Sequence, residues 1–244
     1  MPNWIINKLT LEGSTIDILS ALQSIATGEE SIDFEKIVPL PKELSEVNSG
    51  YSDILCALVL YVDEGDDTEL VKEMESGWLS NFVKKENIST AEECAKFLLN
   101  EKKYSSKIEM GRRALKNEKL YGHRDWHSWS LEKWGTKWNT NDTYTTSEGE
   151  VVFQTAWSTP YPVIKKLSEQ NPELLVKLRF ADESIGENCG EYHLKAGVVV
   201  YEQEYDEVEA CILWNYDPYE LFGYMQRDKN INDILEDDNT DSSL

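Results

Sequence analysis

In Leu174-Leu175-Val176-Lys177-Leu178-Arg179-Phe180, the apolar residues Leu174, Val176, Leu178 and Phe180 fall at every second position, with Lys177 and Arg179 between them. Successive side chains of a strand point to opposite faces, so this spacing predicts a strand with one face in a core and the other in water. Upstream, Thr159-Pro160-Tyr161-Pro162 opens a helix over Val163, Ile164 and Leu167, and Asn171-Pro172 closes it, because proline is tolerated in a first helical turn and breaks a continuing one. Further upstream, Tyr144, Val151, Val152, Phe153, Thr155 and Trp157 are strand formers, with Glu148-Gly149 at a hairpin turn. Downstream, the polar loop Asp182 to Gly190 leads into Tyr192 to Glu204, which reads as one further strand hairpinned onto the first.

The N-terminus repeats this grammar. Residues 4–11, Trp-Ile-Ile-Asn-Lys-Leu-Thr-Leu, read as a strand that Gly13 stops. Ser14 or Thr15 caps a helix with Ile16, Leu19, Leu22 and Ile25 about one turn apart, and Gly28 ends it. A short strand is expected at Ile32 to Ile37, before Pro39 and Pro41 break regular structure. Residues 43–118 then change period: helices are expected at Asp53–Val62, at Thr68–Phe82 interrupted by Gly77, after Ser89-Thr90, and at Ser105–Leu120.

The order is βαβ, insert, βαββ. Two split βαβ units side by side give an α+β ferredoxin-like sandwich, an antiparallel sheet with helices on one face. The expected division is 1–41 with 138–227 for the sandwich, 42–137 for a large helical insertion lobe, and 228–244 for an acidic tail carrying Asp233, Glu236, Asp237, Asp238 and Asp241. Short helices around Val208–Ile212 and Tyr219–Met225 lie between the last strand and the tail.

The 244 residues carry 24 Lys+Arg against 46 Asp+Glu, a formal charge of −22. Such a charge disfavours nucleic acid and membrane surfaces as partners, both being anionic. The charge is segregated. Residues 1–83 hold 4 basic and 16 acidic side chains, residues 84–138 hold 13 and 8, and residues 181–244 hold 3 and 17. A basic helical insert docking on an acidic body accounts for this at no functional cost. The competing reading gives the acidic ends to a partner's polyanion site. The start Met-Pro-Asn-Trp-Ile-Ile-Asn has no basic region ahead of an apolar run, and the longest apolar run, Ile54 to Val62, cannot span a bilayer. A cytoplasmic protein is the expectation. Cys56, Cys94, Cys189 and Cys211 are scattered without a CxxC pair, so reduced thiols are expected, with no zinc or iron–sulfur site and no cofactor.

Several motifs also resemble a known family. Met1-Pro2-Asn3-Trp4 with Asn7 and Leu9, Phe34-Glu35-Lys36-Ile37-Val38-Pro39-Leu40-Pro41, Trp134-Gly135-Thr136-Lys137-Trp138-Asn139, and Thr155-Ala156-Trp157-Ser158-Thr159-Pro160 with Pro162 and Leu167-Ser168 resemble the YubB-type ferredoxin-like family of phages, plasmids and integrated elements. Thr159 stands where that family often has Pro. The resemblance implies a ferredoxin-like fold and a mobile-element origin. It carries over no catalytic residue.

Two candidate sites follow. The segment 121–139 holds two of the three histidines and four of the eight tryptophans. On a helix, His123 and His127 would share a face, a spacing able to chelate a metal. With Trp134, Lys137, Trp138 and Trp157 they form a candidate pocket, against the plainer reading of a tryptophan-rich packing joint. Arg112, Arg113, Lys116, Lys119 and Arg124 lie near aromatics, which leaves a nucleic-acid reading of the 84–138 insert as an alternative. The second site is acidic: Asp182, Glu183, Glu187, Glu204, Asp206, Glu207 and Glu209, a partner-binding rim whose carboxylates could imitate phosphates. Asp182, Glu183 and Glu187 lack the order of a calcium loop. No GxSxG, GxxxxGK[ST] or GxGxxG occurs, so no catalytic residue is assigned. The leading expectation is an accessory protein of a mobile element that binds a host or element protein, in its sharper form an anti-defence inhibitor. An enzyme or ligand-binding domain using segment 121–139 is the alternative.

Overall fold

The structure, a computed structural model, describes residues 2–28 and 30–222. The acidic tail 228–244 and the end of the helix expected at Tyr219–Met225 lie outside the described residues. The described chain divides into two compact units, one of residues 2–33, 140–160 and 164–222, the other of residues 34–139 with 161–163.

The first unit is built on one six-stranded antiparallel sheet: β1 (Trp4–Glu12), β2 (Asn141–Thr145), β3 (Val151–Ala156), β4 (Leu175–Asp182), β5 (Gly190–Lys195) and β6 (Val198–Glu204), in the order β2-β3-β1-β4-β5-β6. With the helices Thr15–Ile25 and Tyr161–Gln170, the first four strands run βαββαβ, the ferredoxin-like arrangement. Strand β1 is central, with Leu9 opposite both Val151 and Leu178. Ile5, Leu9, Leu11, Phe153, Val176 and Leu178 are buried along one face, and Ala21, Ile25, Ile164 and Leu167 of the two helices are buried with them. The alternation around Leu178 therefore builds the core it predicts.

Four expectations change. The segment Ile32–Ile37 is no strand: Phe34–Ile37 is a short helix, because Phe34 and Ile37, three apart, bury together on one side of a turn. The second strand of the first βαβ unit is instead β2, after the insert, so the insertion interrupts that unit and does not lie between two finished ones. On Thr15–Ile25 the buried positions are Ala21 and Ile25, while Ile16 and Leu19 are exposed, so the apolar stripe read from the sequence starts too early. Tyr192–Glu204 is two strands, since Ala196 and Gly197 both take positive φ (49° and 77°), the left-handed pair that a two-residue hairpin turn requires. The sandwich also gains a helix on its second face. Glu207–Leu213 covers Ile6, Val152 and Ala181 with its own Ala210 and Leu213.

The second unit is helical. Ser52–Val59, Thr68–Glu75, Ser80–Lys85 and Ala91–Asn100 gather Leu55, Leu58, Leu70, Leu79, Val83 and Leu98 into one core. Gly77 separates the second and third of these helices, as its position suggests. Ala91–Asn100 begins with a reciprocal capping box between Thr90 and Glu93. Ile108–Tyr121 lies so close to Ser52–Val59 that a Cβ on Gly111 would sit 2.6 Å from the Leu55 carbonyl oxygen. Among the described residues no helix is long and apolar enough to cross a membrane.

Candidate functional site

His123 and His127 do not share a helix face. The helix starts at Trp126, because Asp125 takes an extended conformation and its Oδ1 accepts the backbone N–H groups of His127 and Ser128. An N-cap aspartate ends the preceding non-helical stretch by satisfying the donors a first turn leaves free. Both histidines nevertheless line one polar cleft of about 500 Å³, along with Ser52, Asp53, Glu69, Glu118, Arg124 and Asp125.

Arg124 organises this cleft. Its Nε meets Glu118 at 3.0 Å, one terminal nitrogen meets Asp53 at 3.2 Å and the other meets Glu69 at 2.6 Å. One guanidinium so ties three helices together through its planar fork of donors. Burial alone would lower its pKa, but the Glu69 and Glu118 carboxylates more than offset that, and the value rises. Buried Asp125 accepts the Ser52 hydroxyl at 2.6 Å. Ser52 and Asp125 stand 73 residues apart, and no local pattern announces such a pair. His123 Nε2 meets Glu132 at 3.2 Å.

The remaining members of the tryptophan segment are elsewhere. Trp134 is buried edge-on against Phe34 and Trp129, with centroids 5.9 and 5.5 Å away, and its indole N–H donates to the Val38 carbonyl. Trp138 is half-covered by Lys137, whose ammonium lies 4.7 Å from its ring. Trp157 belongs to the sheet unit and is exposed. The six expected pocket residues thus fall into a cleft pair, a packing joint and a surface pair, with Trp157 in the other unit. Among the described residues no three His, Cys, Asp or Glu side chains gather to hold a metal.

The three arginines of the basic insert are engaged within their own unit. Arg112 is held by Asp63 through two nitrogens at 2.7 and 2.8 Å, Arg113 meets Glu46, and Arg124 has its three carboxylates.

The acidic residues of the sheet unit divide by role. Asp182 is buried and accepts the backbone N–H of Ser184 at 2.8 Å and, more weakly, the Asn3 amide. Asp206 and Glu209 form a capping box on Glu207–Leu213. The hydrogen bond between their carboxyl groups lowers the Asp206 pKa and raises that of Glu209. Glu183, Glu187, Glu204 and Glu207 are exposed, and among the described residues none of them has a basic partner. Glu204 lies opposite Gly190 across β5–β6, and a Cβ on Gly186 would touch the Glu207 side chain at 2.8 Å, so the β4–β5 loop and the start of the helix Glu207–Leu213 meet at one end of the sheet. The Cys189 thiol reports this crowding: burial first, then the charges of Asp206, Glu209, Glu207 and Glu204, push its pKa up. On the sheet face that also carries Glu207–Leu213, Glu191 accepts from Tyr205 at 2.8 Å and meets His193 at 2.5 Å, beside an Arg179–Glu150 ion pair at 2.6 Å.

Residues 133–220 match the family described as the ferredoxin-like domain in Api92-like protein. That span takes in β2 to β6 and the helix Tyr161–Gln170. Over that span the chain is similar to the ferredoxin-like domain of Api92-like proteins, in keeping with its sheet. The crystal structure of a protein api92 from Yersinia pseudotuberculosis aligns over 84% of this chain and 98% of its own length, at 12% identity and a TM-score of 0.40. No curated protein matches the chain.

Proposed function

We propose that the protein acts by binding another protein, and that the acidic rim of its sheet unit is the surface used. The observation that carries this reading is the set of exposed carboxylates Glu183, Glu187, Glu204 and Glu207, left without a basic partner among the described residues while the arginines of the helical unit are engaged. Carboxylates clustered on a rigid sheet end keep a negative potential that a basic surface neutralises. Their natural counterpart is a protein groove that otherwise takes a phosphate backbone. The sequence motifs shared with a family of phages, plasmids and integrated elements support a finer version, in which the chain is a mobile-element accessory protein that blocks a host defence protein by occupying such a groove. A cytoplasmic location follows from that reading.

Affinity capture from host lysate tests it, with the wild-type chain and an E183Q/E187Q/E204Q/E207Q variant compared at about 50 and 500 mM salt, where the screening length falls from about 14 to about 4 Å. A nucleic-acid-binding protein should be retained by the wild type at low salt and lost at high salt and in the variant. Capture that ignores both salt and substitution, or no capture at all, overturns the reading.

A further inference from the structure

Three aromatic rings in the helical unit surround an ammonium group of the chain itself. Lys103 Nζ lies 5.1 Å from the Tyr51 ring, 5.1 Å from the Tyr104 ring and 5.8 Å from the Trp78 ring. Tyr51 and Tyr104 stand edge to face, at 80° with centroids 6.3 Å apart, so they form two walls of a corner. Lys107 Nζ sits 4.0 Å from the Tyr51 ring as a second cation. Rings attract cations through their negative faces at such distances, and several rings around one site are how quaternary and primary ammonium groups are held.

A cavity of about 350 Å³ lies against two of these rings, Tyr51 and Trp78, and is lined also by Asp53 and Glu73. Trp78 is 71% exposed, whereas the packing tryptophans Trp129 and Trp134 are buried. The Glu73 carboxylate folds back to accept the Trp78 backbone N–H at 3.0 Å, a position that only a glycine at 77 permits, since a Cβ there would collide with that carboxylate. Aromatic faces hold organic cations, and the Glu73 carboxylate stands beside them, while Asp53 already meets Arg124.

We propose that Tyr51, Trp78 and Tyr104 form a binding site for an organic ammonium group, and that Lys103 occupies it as an internal competitor. The ligand is a lysine side chain of a partner, methylated or not, or a small free ammonium compound. The site goes beyond the acidic rim, shares no residue with it and stands or falls separately.

Calorimetric titration of the full chain with tetramethylammonium and with Nα-acetyl-lysine amide tests the proposal. Lys103→Met should bind at least one of these about tenfold more tightly than wild type, from the attraction a competing ammonium no longer takes up. Adding Trp78→Ala to Lys103→Met should return the affinity to the wild-type level or below. Preference for the quaternary ion identifies a methylated or choline-like source, and preference for the amide identifies an unmodified lysine. Trp78 is largely exposed, so its removal leaves the fold intact, which thermal unfolding of each variant verifies. No binding to folded Lys103→Met, or equal binding with and without Trp78, overturns the proposal.

Discussion

Cys56 shows how a single side chain records its surroundings. It is wholly buried, its thiol faces the Gly111 carbonyl at 3.8 Å, and burial pushes its pKa from 9.0 up to about 12. The folded state thus favours the neutral thiol more than the unfolded chain does. A raised pKa contributes stability that is complete below the unfolded value and is lost as pH climbs through the folded one. Unfolding free energy should therefore fall between about pH 9 and pH 12, and Cys56→Ala should flatten that fall; identical alkaline limbs in the two proteins would refute it. From the sequence, scattered cysteines without a pairing pattern read as plain thiols, and the structure keeps all four free and buried. The depth of burial was not readable, because it depends on which helices close over residue 56. The same holds for Asp125. Its type and its place before Trp126 suit a helix cap, but its bond to Ser52 joins segments that local patterns treat as unrelated.

At the scale of elements, the close crossing of Ser52–Val59 and Ile108–Tyr121 depends on the missing side chain at Gly111. An added methyl would meet Leu55 O and C at 2.6 and 2.9 Å and Val59 Cγ2 at 2.9 Å. Backbone does not yield as a flexible side chain does, so Gly111→Ala should destabilise the helical unit by roughly 1–3 kcal/mol despite alanine's better helix propensity. Chemical denaturation measures it, and an unchanged or raised midpoint would contradict the packing. Strands with one wet face were legible for the reason visible at Leu174–Phe180: a period of two has no other cheap explanation. Short elements were not. Ile32–Ile37 has too few residues to separate a period of two from a helical turn, and Ala196-Gly197 gives a weak turn signal next to Asn-Gly or Asp-Gly. Within segment 121–139, the helix boundary at Asp125 removed the metal-like spacing of His123 and His127, yet the fold around Arg124 put both histidines on one cleft.

For the whole molecule, two units each with a buried core should unfold as two cooperative steps. Leu98 and Leu178 are both fully buried, one in the helical unit and the other in the sheet unit. Leu98→Ala and Leu178→Ala should each lower a different calorimetric transition, by about 2–5 kcal/mol; one shared transition moved equally by both would show a single cooperative unit. The change from strand to helical patterning was legible because hydrophobic periodicity passes from two to 3.6 along the chain, and the order of residues carries that change. The sequence by itself determined the α+β class, the strand β4 and its pairing logic, and the charge imbalance. Tertiary structure alone decided which strand completes the first βαβ unit, which carboxylates remain unpaired, and which rings surround Lys103. Each of these depends on residues far apart in the chain meeting in space, and local spacing holds no record of such meetings.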